Sequence, residues 1–89
     1  MLRVTIQQCG NISVLHCEGR IVIGGTHSSL RNAVLSQSDA SMVFLDMARV
    51  ERIDAGGLGV LLGLREWAHA HAICFRLMNV TKNVDQILN

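Results

Sequence analysis

The residues most able to do chemistry lie together in Ile53-Asp54-Ala55-Gly56-Gly57-Leu58-Gly59, a carboxylate followed by three glycines and an apolar run. The Asp54 carboxylate can accept from the backbone N–H of Gly56 or Gly57, which makes it a helix N-cap and starts a helix at Ala55. Each glycine in that first turn gives up about 1 kcal/mol of helix propensity relative to alanine. Something besides propensity therefore placed them there. Close approach of a partner chain or a ligand is one reading, and close packing inside the domain is the other. A phosphate cradle fits poorly, because the turn holds no lysine and no Gly-x-x-x-x-Gly-Lys-Ser pattern, and Asp54 would compete with an anion for the same N–H groups.

The other reactive side chains do not assemble into a constellation. His69 and His71 lie two apart, about 200° around a helix, and Cys74 is near them only in sequence, so a solvated helix end explains them better than a metal site. His16 and Cys17 alternate faces on a strand and cannot form a local Cys-His pair. Ser28, Ser29, Ser36, Ser38 and Ser41 read as surface serines; Ser28 and Ser29, near a helix N-terminus, are the ones a kinase could use. No catalytic residue, metal ligand set or cofactor is expected, and the chain does not read as an enzyme.

The elements that must position the Asp54 turn follow from periodicity. Leu2, Val4 and Ile6 alternate with polar residues in a half-buried strand, and Cys9-Gly10-Asn11 turns the chain into a second strand, Ile12 to Glu18, ended by Gly19-Arg20. Ile21-Val22-Ile23 is a short β-branched piece before Gly24-Gly25. Thr26 then caps a helix from about His27 to Ser36, with Leu30 and Val34 inward. Met42 to Met47 is almost continuously apolar, as befits a central parallel strand covered on both faces. Ala48 to Ile53 is expected to be a loop, with Val50 and Ile53 as anchors. The Ala55 helix is followed by His69-Ala70-His71, a strand from Ile73 to Met78, and a last helix from about Lys82 to Leu88. Leu30, Val34, Phe44, Leu61, Leu64 and Phe75 are the expected core. This order predicts one α/β domain over residues 1–89: a mixed, mostly parallel sheet of about four to five strands with helices mainly on one face.

Composition narrows the function classes. With 49% hydrophobic and 17% charged residues, the chain is neither disordered nor highly charged. A net charge of +1, from scattered basic residues, provides no footprint for nucleic acid. The apolar run from Val60 to Leu64 is too short to span a bilayer, so no direct membrane insertion is expected. Cys9, Cys17 and Cys74 are widely spaced and read as reduced thiols in a cytoplasmic protein.

Val43-Phe44-Leu45-Asp46-Met47, then Val50 and Ile53-Asp54-Ala55-Gly56-Gly57-Leu58-Gly59-Val60-Leu61, strongly resembles the STAS domain family, which includes the bacterial anti-sigma factor antagonists. The family signature is an apolar strand ending in Asp-Leu, a short loop, then Asp-Ser-Ser-Gly-Leu-Gly opening a helix; the match is specific at Asp46, Asp54, Gly57, Leu58 and Gly59. The resemblance implies a non-enzymatic interaction module in transcription regulation, whose partner is a serine kinase-like anti-sigma factor. Its docking surface would be Ile53 to Gly59 with Gly24, Gly25 and Thr26. It also implies a second role, as an accessory subunit on the ATPase of a lipid-transporting ABC system. Two departures bear on the first role. The serine that the kinase phosphorylates corresponds to Gly56, which has no hydroxyl, and Arg20-Ile21-Val22 stands where many antagonists carry an acidic residue. The family further implies helical residues beyond Asn89, so that the chain would be truncated or pared down, and a homodimer would cover apolar surface left by a short last helix.

Overall fold

The computed structural model describes residues 2–22, 27–82 and 84, with the backbone alone at 27 and 28. Among these residues four strands form one sheet in the order β1-β2-β3-β4: β1 Leu2–Cys9, β2 Ile12–Ile21, β3 Met42–Ile53 and β4 Cys74–Met78. β1 and β2 make an antiparallel hairpin whose turn needs Gly10 at φ +63°, a conformation open to glycine. β2, β3 and β4 run parallel, and each parallel step requires a crossover. Helix α1, His27–Leu35, supplies the first and α2, Ala55–Ala70, the second.

Both helices cover the same face of the sheet. Leu15 and Cys17 of β2, Val43, Leu45 and Met47 of β3, and Leu30, Val34, Leu61, Leu64 and Ala68 of the helices form the buried core between them. Leu30, Val34, Leu61 and Leu64 are thus core as expected. Phe75 packs partly buried against that core, while Phe44 does not belong to it. It pairs with Val14 and Arg76 on the opposite, open face of the sheet and is half-buried there. The unbroken apolarity of Met42 to Met47 therefore marks a strand with one helix-covered face and one open face.

Among the described residues two polar side chains are buried, Ser13 and Gln37, and they sit at the end of this core. Ser13 Oγ donates to Gln37 Oε1 at 2.6 Å, Gln8 Nε2 donates to the same oxygen at 2.9 Å, and Gln37 Nε2 donates to Ser36 Oγ at 2.9 Å. Because these partners satisfy groups that would be costly to bury alone, the network fixes the end of α1 to the hairpin.

The segment expected to be a loop, Ala48 to Ile53, is the second half of β3, and Ile21, expected to lie beyond the second strand, is its last residue. The reason lies in the register. From His16↔Asp46 to Glu18↔Arg49, and again from Gly19↔Val50 to Arg20↔Arg52, β3 advances one residue more than β2. These two bulges break the alternation, so Met47, Val50 and Ile53 are buried with two exposed residues between each. Gly19, read as a strand end, instead lies inside β2 at φ +120°, beside the bulges. The expected last helix falls largely outside the described residues; Lys82 and Val84 are helical, Thr81 Oγ1 accepts from Val84 N at 3.4 Å, and Val84 is buried.

Candidate functional site

The bulged register delivers the ends of β2 and β3 side by side, Ile21 opposite Ile53, and α2 starts directly from that edge. Asp54 has an extended backbone, φ −112° and ψ −177°, as an N-cap requires. Its Oδ1 accepts from Gly57 N at 2.7 Å, its carbonyl accepts from Leu58 N at 2.8 Å, and its own N–H donates to Ile21 O at 3.4 Å. The carboxylate also sits where the helix dipole favours negative charge. These contacts hold the turn to the sheet in one position.

The glycines of this turn separate into different roles. Gly57 is buried, and a Cβ there would overlap the Ile21 carbonyl oxygen and stand 2.7 Å from its carbon and 3.1 Å from Ile53 Cγ1. Glycine is required for α2 to lie against β2. Gly59, two residues on, faces open space, as does Gly63 one turn later. Gly56 is half-buried, Ala55 and Gly59 are exposed, Leu58 and Val60 are half-buried, and Leu62 is 51% exposed. The outward surface of the turn thus consists of small residues continuing into an exposed leucine.

Among the expected docking residues, the structure brings together Ile53 through Gly59. Ile53, 4% exposed, and Gly57 hold the turn from beneath and offer a partner no surface. Ala55 and Gly59 remain outward with half-buried Gly56 between them, while Leu58 is half-buried and packs against the core. Gly24, Gly25 and Thr26 lie outside the described residues. At the other end of α2, His71 caps the helix, with Nδ1 2.8 Å from Trp67 O and its ring stacked on Trp67 at 4.5 Å. Among the described residues no three His, Cys, Asp or Glu side chains converge as a metal site.

A polar chain across the open face was not visible in the sequence. His16 Nδ1 lies 2.7 Å from Asp46 Oδ2, and His16 Nε2 lies 2.9 Å from Gln7 Oε1. Asp46 Oδ1 accepts from Asn79 Nδ2 at 3.0 Å and from Ala48 N at 3.1 Å. The Asn79 amide, with the Ala48 N–H and His16, holds the Asp46 carboxyl below its ordinary range against the opposing effect of burial. Asp46 thereby ties β1, β2 and the end of β4 to β3, which explains why the strand carries an aspartate at this position. Cys17, next to His16, is buried and its thiol is pushed up to about 12 by burial and by the Asp46 charge. It is a core residue without nucleophilic character.

The STAS domain family profile matches residues 3–89, and the chain belongs to that family. Among solved structures, SpoIIAA, an anti-sigma factor antagonist, superposes in its unphosphorylated form with a TM-score of 0.74 at 16% identity, over 96% of this chain and 80% of that one. The phosphorylated form of SpoIIAA, described as a Bacillus cell fate determinant, gives 0.75 at 16% identity, over 97% and 80%. The Mglu crystal structure gives 0.75 at 24% identity over 88% of this chain, which spans only 20% of the Mglu chain. At these identities the structural likenesses establish the shared fold. No curated protein sequence matches the chain. Among the described residues no helix is long and apolar enough to cross a membrane.

Proposed function

We propose that this STAS domain is a non-enzymatic binding module that docks a serine kinase-like anti-sigma factor through the outward side of the Asp54 turn. Ala55, Gly56, Leu58 and Gly59, with Gly24, Gly25 and Thr26, form the contact surface, and Ile53, Asp54 and Gly57 hold it in place. The observation that carries this reading is the pairing of a fixed base with an open top: Gly57 is pressed against Ile21 while Gly59 faces free space. Small side chains on a pre-set backbone let a partner approach closely at little ordering cost.

In the regulated antagonists a phosphate added at this turn would disrupt the partner's interface by its charge. Gly56 cannot carry one, so the module stays in its binding form. The same missing hydroxyl favours a second reading, an accessory subunit on the ATPase of a membrane lipid transporter, which needs no phosphorylatable serine. Affinity capture from the source cells, followed by mass spectrometry, decides between them. A serine kinase-like anti-sigma factor supports the first, a transporter ATPase the second, and recovery of neither with an intact domain contradicts both.

A further inference from the structure

A second surface, at the edge of the sheet opposite β4, has the properties of a strand that pairs with its own copy. β1 is an edge strand: among the described residues it pairs with β2 alone. Natural edges are blunted by proline, bulges or charge. β1 has none of the first two, since the chain contains no proline and the β1–β2 register runs from Leu2↔Gly19 to Cys9↔Ile12 without a shift. Arg3 is its one charged residue, and Ile6 is 40% exposed.

The hairpin geometry fixes which groups face outward. Gly10 and Asn11 form a two-residue turn, so the flanking pair Cys9 and Ile12 is hydrogen-bonded, and Gln7, Thr5 and Arg3 follow as the residues bonded to β2. The N–H and C=O groups of Val4, Ile6 and Gln8 consequently point away from the sheet.

We propose that two copies of this chain pair through β1, antiparallel, about a twofold axis at Thr5. In this register Val4 of one copy meets Ile6 of the other on the helix-covered face, and both are members of the outward-bonding set. Arg3 meets Gln7, and the two arginines stand about 14 Å apart along the strands at ~3.4 Å per residue, beyond the Debye length of about 8 Å at physiological salt. No like charges oppose, and no carboxylate on β1 calls for a basic partner instead. A second copy suits the edge because the strand is complementary to itself, and the assembly is one continuous sheet of two subunits. The surface is separate from the Asp54 turn, and its test does not depend on that proposal.

At the axis, Thr5 faces Thr5 as a non-hydrogen-bonded pair with Cα atoms about 4.5 Å apart, within the range a disulfide spans. The experiment uses the full chain with exposed Cys9 changed to serine and a cysteine introduced by Thr5→Cys or, as a control, Arg3→Cys. Under mild oxidation the Thr5→Cys chain is expected to cross-link at least about tenfold faster than the control, whose cysteines are too far apart. Light scattering on the unmodified chain should give a two-chain mass at high concentration, and Thr5→Lys should return it to one chain with unchanged circular dichroism. A one-chain mass at every concentration, or equal cross-linking at the two positions, would overturn the proposal.

Discussion

Gly57 of α2 lies against the carbonyl of Ile21, the last residue of β2, so closely that a β-carbon on residue 57 would occupy the place of the Ile21 oxygen. This one contact sets the height of the helix above the sheet and therefore the presentation of Ala55, Gly56 and Gly59. It also makes the glycines of the turn energetically unequal.

Gly57→Ala should destabilise the fold by about 2–4 kcal/mol, because the obstacle is backbone and cannot rotate away. Gly59→Ala meets open space on a helix and should stabilise by up to about 1 kcal/mol. Urea denaturation of the two variants measures both. Equal effects would mean that the α2–β2 contact is looser than described.

Asp54→Ala removes the cap that accepts from Gly57 N and should cost about 1 kcal/mol, while Asp54→Ser, which keeps a capping oxygen, should cost less. Denaturation midpoints of the pair separate a lost cap from a lost charge.

Asp46 supplies an acid-sensitive part of the stability. Its folded carboxyl titrates below the unfolded value of about 3.9, so its contribution is fully present above that pH and is lost as pH falls through the folded value. Asp46→Asn should lose stability at neutral pH and show a flatter acid limb than the unmodified chain. Asn79→Ala, which deletes the leading cause of the shift, should move the limb toward the ordinary carboxylate range. Parallel acid limbs in all three chains would contradict this assignment.

Alkylation should discriminate the thiols. Cys9 is exposed and should react at once in the native protein, whereas Cys17, buried with its thiol raised to about 12, should react only on unfolding. Peptide mass spectrometry after timed labelling provides the comparison.

What the sequence disclosed, and what it concealed, follows the range of the interactions involved. The hairpin, the Asp54 cap and α2 were legible because alternation, turn residues and capping act over a few positions. The second half of β3 was not, since two bulges replace alternation with a spacing of three and make Ala48 to Ile53 resemble a loop. His16 and Asp46 are 30 residues apart, and only the β2–β3 register brings them together. Phe44 reads as core in the sequence because continuous apolarity alone does not reveal that one sheet face is open. The buried role of Gly57 needed the Ile21 carbonyl, which no local pattern predicts.

The outward side of the Asp54 turn is the surface proposed to dock the partner. The most direct test is the affinity, by calorimetry, of the captured anti-sigma factor for the unmodified chain and for Gly56→Trp, with circular dichroism confirming that the variant is folded. The expected result is at least a tenfold loss, about 1.4 kcal/mol. An unchanged affinity for a folded Gly56→Trp chain would contradict it.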